Sequence, residues 1–238
     1  MKIRMAIIAP ALVMLAVPLL WCQDQGAGKA AIQQRVAELK QSMAANKASL
    51  AKYQWLQTTQ VNLKGQTKKD EVNTCHYGPD GEVVKTPVGP PQAAPQIPQG
   101  GLKGRIAAKK VDEMKDYTMR LKSLIGHYAP PDPEMIQAAA AAGNASLNAS
   151  GGVVTLTFVN YYKPGDKVAF AFDTAEKKLR SYDVNTYLDD PKKDIVTLTN
   201  QFTSLPDGTN YLQQTVLNAE GKQIQVTTEN SNYSPVGQ

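Results

Sequence analysis

Cys75 and His76 stand side by side, and a thiol next to an imidazole is the first place in this 238-residue chain where nucleophilic chemistry could begin. The reactive form of such a pair is the thiolate, so a base must reach the sulfur in space and the surroundings must favour the charge. The flanking residues read as a β-strand, in which successive side chains point to opposite faces. His76 is therefore turned away from Cys75, and the cysteine is expected as a small core residue. His127 is the second histidine, and no Cys or His spacing of the zinc type surrounds either one. Acidic neighbours occur at Asp70-Glu71, Asp112-Glu113 and Asp189-Asp190. General acid–base catalysis needs carboxylates held apart across a cleft, whereas adjacent ones in turns and helix starts are solvated. No GxSxG, phosphate-loop or dinucleotide signature is present. The sequence thus predicts no enzyme, no catalytic residues, no metal and no cofactor. A hydrolase would need a polar cleft that brings His76 or His127 to a nucleophile and a third, orienting group.

The N-terminus speaks about location. Lys2 and Arg4 precede an uncharged run from Ala6 to Trp21, which Gln23-Asp24-Gln25-Gly26-Ala27-Gly28 follows. That order of blocks predicts a secretory signal peptide over residues 1–22 and a periplasmic or secreted protein. The run is shorter than the ~20 residues of a spanning helix, and Pro10 and Pro18 interrupt it. Cleavage after Cys22, with Leu20 and Cys22 in the recognition positions, fits better than lipidation of Cys22, because the bulky Trp21 precedes it. A retained anchor is the third option. Residues 23–238 then form the mature chain, with Cys75 as its lone cysteine and no intramolecular disulfide available. Its stability must come from a packed core.

Without Lys2 and Arg4 the formal net charge falls from +5 to +3. Residues 23–143 hold 16 basic and 11 acidic side chains, and residues 144–238 hold 8 and 10. A basic half can meet a lipid headgroup or a cell-wall polymer, which would make contact with a membrane peripheral; it can equally be a solvated helix face. Nucleic acid is disfavoured by the absence of a recognition motif and by the predicted compartment.

The elements that must position any site follow from periodicity. Ile32, Val36, Leu39, Met43 and Leu50 share one face of a helix predicted over 29–51. From Tyr53 the period becomes two, and strands are expected from Tyr53, over 67–77 and over 82–86, joined by turns at Lys64-Gly65-Gln66 and Gly78-Pro79-Asp80-Gly81. Residues 87–104 hold five prolines and four glycines, so that stretch is read as a loop or linker. Helices return over 105–127 and, after an Asp132-Pro133 start, over 132–142, with Gly143 as a stop. From Ala145 to about 228 the chain reads as an antiparallel meander, with strands at 154–158, 168–172, 179–188, 195–203, 210–217 and 223–228. The residues Ser231 to Gln238 are expected to fray. Sequons stand at Asn144, Asn148 and Asn232, of consequence in a eukaryotic secretory pathway.

Two stretches carry a resemblance. Tyr53-Gln54-Trp55 through Thr86, and Val168-Ala169-Phe170-Ala171-Phe172-Asp173 through Leu179 with Ser204-Leu205-Pro206-Asp207-Gly208-Thr209, resemble the early strands and later meander of the periplasmic lipoprotein-carrier superfamily. That superfamily includes the LolA and LolB carriers and the first domain of the RseB sensor. The resemblance implies an α+β fold over residues 23–238: a strongly curved antiparallel sheet forming a half-open barrel, with helices on its concave face. It also implies a lipid, a lipoprotein or another envelope protein as partner. The apolar set Trp55, Val61, Leu63, Phe158, Phe170, Phe172, Tyr182, Leu198 and Phe202 is the candidate lining of a hydrophobic cavity, or else ordinary core, since a carrier's cavity is a core left incompletely filled. The function expected is non-catalytic binding of an acyl chain, lipoprotein or lipid in the cell envelope. The alternative is an envelope interaction or sensor domain with a filled core.

Overall fold

The computed structural model describes residues 23–89 and 101–237. The predicted signal peptide and most of the proline-rich stretch lie outside the described residues. Helix α1 (Gln23–Leu50) leads into strands β1 (Tyr53–Leu63), β2 (Gln66–Tyr77) and β3 (Val83–Pro87). Helices α2 (Gly101–Gly126) and α3 (Pro133–Ala141) follow. Seven strands then complete the chain: β4 (Ala145–Ser150), β5 (Val153–Val159), β6 (Lys167–Asp173), β7 (Lys178–Tyr187), β8 (Ile195–Ser204), β9 (Asn210–Ala219) and β10 (Ile224–Pro235). The fold is α+β.

All ten strands belong to one antiparallel sheet in the order β3-β2-β1-β10-β9-β8-β7-β6-β5-β4. Local turn chemistry explains most of the neighbours. Lys64 and Gly65, at φ 52° and 74°, form the tight hairpin between β1 and β2, and Gly151 and Gly152, at 57° and 78°, do the same between β4 and β5. The one distant pairing joins β1 to β10, from Tyr53 opposite Pro235 to Leu63 opposite Ile224. It fuses the N-terminal hairpins to the C-terminal meander. The sheet is not closed, and β3 and β4 are its two edges.

The last strand departs from expectation. Ser231 to Pro235 continue β10 and pair with β1 across a bulge, where Asn232 takes φ 54°. Aromatic packing holds this end: Tyr233 stacks on Trp55 at 5.4 Å and meets Tyr211 at 4.4 Å between ring centroids.

One face of the sheet carries the helices. Val36 and Leu39 of α1, Tyr117, Leu121 and Leu124 of α2, and Ile136 and Ala139 of α3 are buried against Leu156, Phe158, Val168, Phe170, Tyr182, Val184, Val196 and Leu198. Asp132 caps α3 as predicted, accepting the Glu134 N–H at 2.7 Å, with Pro133 in the first turn. A buried carboxylate pins the helix layer to the sheet. Asp166 accepts the backbone N–H groups of Tyr161 (2.5 Å), Tyr162 (2.9 Å) and Lys163 (2.9 Å) and the Tyr128 hydroxyl (2.6 Å). The Tyr182 hydroxyl donates to the Tyr128 carbonyl at 2.5 Å. A buried charge is tolerated only when its lone pairs are filled in this way.

Candidate functional site

Between α1 and the β5–β6 corner of the sheet lies a groove of about 520 Å³. Helical spacing brings Arg35, Glu38, Leu39, Gln41 and Ala45 to it from α1. Val154 and Leu156 reach it from β5 as alternate residues of one strand face, and Phe172, Asp173, Thr174 and Lys177 come from the end of β6 and the turn after it. Leu39, Val154, Leu156 and Phe172 form an apolar floor. Arg35, Glu38, Gln41, Thr174 and Lys177 are exposed around it, and Asp173 is buried beside Phe172.

The charges that line the groove are held in place. Arg35 donates to Glu38 at 2.6 Å, and this bond, with one from Gln34, keeps the Glu38 carboxyl below the usual carboxylate range. Asp173 accepts the N–H groups of Glu176 (2.9 Å) and Ala175 (2.8 Å) and pairs with Arg180 at 2.7 Å; these bonds lower its carboxyl as well. Lys177 takes a left-handed φ of 54° in that turn, and its charge also acts on Glu38. The result is an apolar slot with fixed, mixed charge at its mouth, suited to a ligand that is mostly hydrocarbon with a polar end.

The nine residues of the expected cavity lining are distributed unevenly. Phe172 lines the groove. Phe158, Phe170, Tyr182 and Leu198 are buried in the core, where Phe170 stacks on Tyr182 at 4.7 Å and meets Phe158 edge-on at 6.1 Å. Leu63 and Phe202 are partly buried against that core, and Val61 is half-buried on β1. Trp55 is buried farther along the sheet and donates its indole N–H to Asn230 at 3.0 Å. Of the five groove residues that α1 supplies, Arg35, Glu38, Gln41 and Ala45 are ones that a search for large apolar side chains passes over. The helical repeat of Val36 and Leu39 placed α1 against a sheet, and nothing local said which strands it would meet.

A second, more open cleft of about 480 Å³ is bordered by Ser123, Leu124, His127, Tyr162, Lys163 and Leu188. His127 stacks on Tyr162 at 3.9 Å. Lys163 donates to the carbonyls of Tyr187 and Leu188 and lies 3.8 Å from the Tyr187 ring centroid; burial lowers its ammonium from the ordinary lysine value. Ser123 and His127 share this cleft without a hydrogen bond between them among the described residues. Cys75 is fully buried, and burial pushes its thiol up, away from the thiolate. Members of two of the acidic pairs are engaged separately: Glu71 with Lys69, Asp189 with Arg120 at 2.7 Å, and Asp190 with Lys193 at 4.0 Å. Among the described residues, no three or more His, Cys, Asp or Glu side chains gather to hold a metal, and no helix is long and apolar enough to cross a membrane.

Comparison with known proteins adds no relative: no family model matches the chain, and no curated protein matches it.

Proposed function

We propose that this chain is an exported, non-catalytic binding protein that shelters an acyl chain, or the acyl end of a lipid or lipoprotein, in the cell envelope. The observation that carries this reading is the groove beside Phe172. Its volume, about 520 Å³, lies within the ~300–1,000 Å³ of small-ligand sites. Its floor is apolar, and three of its four charged lining residues, Arg35, Glu38 and Lys177, are exposed. Each methylene moved from water onto such a floor contributes about 0.8 kcal/mol, so a chain of ordinary length needs no further chemistry to bind. In this reading the sheet curves strongly as a half-open barrel around its helices, and α1 is the movable wall of the groove. The partner is a lipid, a lipoprotein or an envelope protein that hands one over, met at a membrane surface by peripheral contact.

The test is titration of the purified chain with a fluorescent fatty acid. Saturable binding that an unlabelled long-chain acid displaces supports the reading, and probe fluorescence unchanged by the protein contradicts it. The second reading, an interaction or sensor domain of the envelope, is favoured by the complete burial of Phe158, Val168 and Phe170, which leaves that part of the interior filled.

A further inference from the structure

The two edges of the sheet are dressed differently. β3 carries Lys85 and closes on Pro87, two of the devices that keep an edge strand from pairing with another chain. β4, with the sequence Ala-Ser-Leu-Asn-Ala-Ser, carries neither a charge nor a proline, and its register with β5 runs from Ala145 opposite Phe158 to Ser150 opposite Val153 without a bulge.

The hydrogen-bond phase of β4 is fixed by its neighbours. Val159 donates to the Asn144 carbonyl at 2.9 Å, and on the other side of β5 the bonds from Asn160 to Asp166 and from Thr174 to Gly152 assign Val154, Leu156 and Phe158 to β6. Bonded and non-bonded positions alternate in an antiparallel ladder. Ser146, Asn148 and Ser150 therefore turn their backbone groups to β5, and Ala145, Leu147 and Ala149 turn theirs outward. Leu147 is the cross-strand partner of fully buried Leu156, so its side chain lies on the helix-bearing face; yet it is 39% exposed, an apolar residue left at the open end of the core. Ala138, Ala141 and Ala142, exposed on and just after α3, present only methyl groups on the way into this strand.

We propose that β4 is a homodimerisation edge: two copies pair antiparallel about a two-fold axis at Leu147, joining two ten-stranded sheets into one. In this register Ala145 faces Ala149 of the second copy, and the two Leu147 side chains cover each other. A second copy is the occupant that fits, because an uncharged strand offers nothing to a charged partner and meets its own copy without repulsion. Two-fold symmetry also satisfies the same backbone groups on both sides.

The test is sedimentation equilibrium of the purified chain beside two variants, with circular dichroism as the check on folding. A149P removes an outward N–H and no bond to β5. L147D places like charges directly opposite each other across the axis. A concentration-dependent dimer is expected for the unaltered chain, with its Kd raised about tenfold or more in each folded variant. A monomer at concentrations up to roughly 0.1 mM, or a dimer whose Kd does not move in a folded variant, overturns the proposal.

Discussion

The indole N–H of Trp55 donates to the side-chain oxygen of Asn230 at 3.0 Å, tying the first strand of the chain to the last. The same oxygen accepts Gln57 Nε2 at 3.0 Å, and the Asn230 amide nitrogen donates to the Leu212 carbonyl at 2.9 Å. Trp55 can only donate and the carbonyl can only accept, so the orientation of Asn230 is fixed. Asn230→Ala strands a buried indole N–H and an amide, and it is expected to cost about 2–3 kcal/mol. Urea unfolding with an unchanged m-value checks this; a loss of a few tenths of a kcal/mol or less would show that the bond is dispensable.

Asp166 and Tyr128 make a second, independent prediction. Asp166→Ala leaves three backbone N–H groups and the Tyr128 hydroxyl without their acceptor and is expected to destabilise by about 3–5 kcal/mol. Tyr128→Phe removes one of four donors and should cost less, about 1–3 kcal/mol. The ranking is the content of the prediction, and denaturant midpoints measured side by side read it directly.

Alkaline pH should unfold the protein through its buried tyrosines. Burial pushes Tyr161 up to about 12, and burial with a hydrogen bond to Asp166 raises Tyr128 further; Tyr182 is raised by burial as well. The unfolded chain ionises these phenols near about 10. Their contribution to stability is therefore fully present below pH 10 and is lost as pH rises through the folded values. The melting temperature is expected to be level to about pH 10 and to fall above it, with the delayed phenolate absorbance appearing together with unfolding. Normal titration of all ten tyrosines in the folded protein would contradict this.

Phe170 and Phe172 are two residues apart on β6 and should behave differently. Phe170 is fully buried between Phe158 and Tyr182, so Phe170→Asp places a carboxylate in packed core and is expected to abolish cooperative folding. Phe172 lines the groove and is only partly buried, so Phe172→Asp should fold and lose acyl binding. Thermal melts beside probe titrations separate the two outcomes, and unchanged binding by folded Phe172→Asp would count against the groove.

Much of this architecture was legible because its causes are local. The alternation beginning at Tyr53, the turn residues Lys64-Gly65 and Gly78 to Gly81, and the Asp132-Pro133 cap each act within a few residues. β4 escaped notice because Ala145 to Ser150 lack the branched and aromatic residues typical of strands; the Gly151-Gly152 hairpin turn was the available clue. The extension of β10 escaped for a different reason. Ser231 to Pro235 look polar and frayed alone, and only pairing with β1 and stacking on Trp55 order them. The groove is least local of all: Phe172 was named from sequence, while Arg35, Glu38 and Leu39 join it through a helix that packs more than a hundred residues away from its strands.

The central claim, that the groove beside Phe172 holds an acyl chain, is tested most directly by native mass spectrometry of the chain purified from its own host, with organic extraction of what co-purifies. The account predicts a stoichiometric acyl-bearing adduct on the unaltered chain and its loss in folded Phe172→Asp. A clean apo mass, or an adduct that Phe172→Asp retains in full, would contradict it.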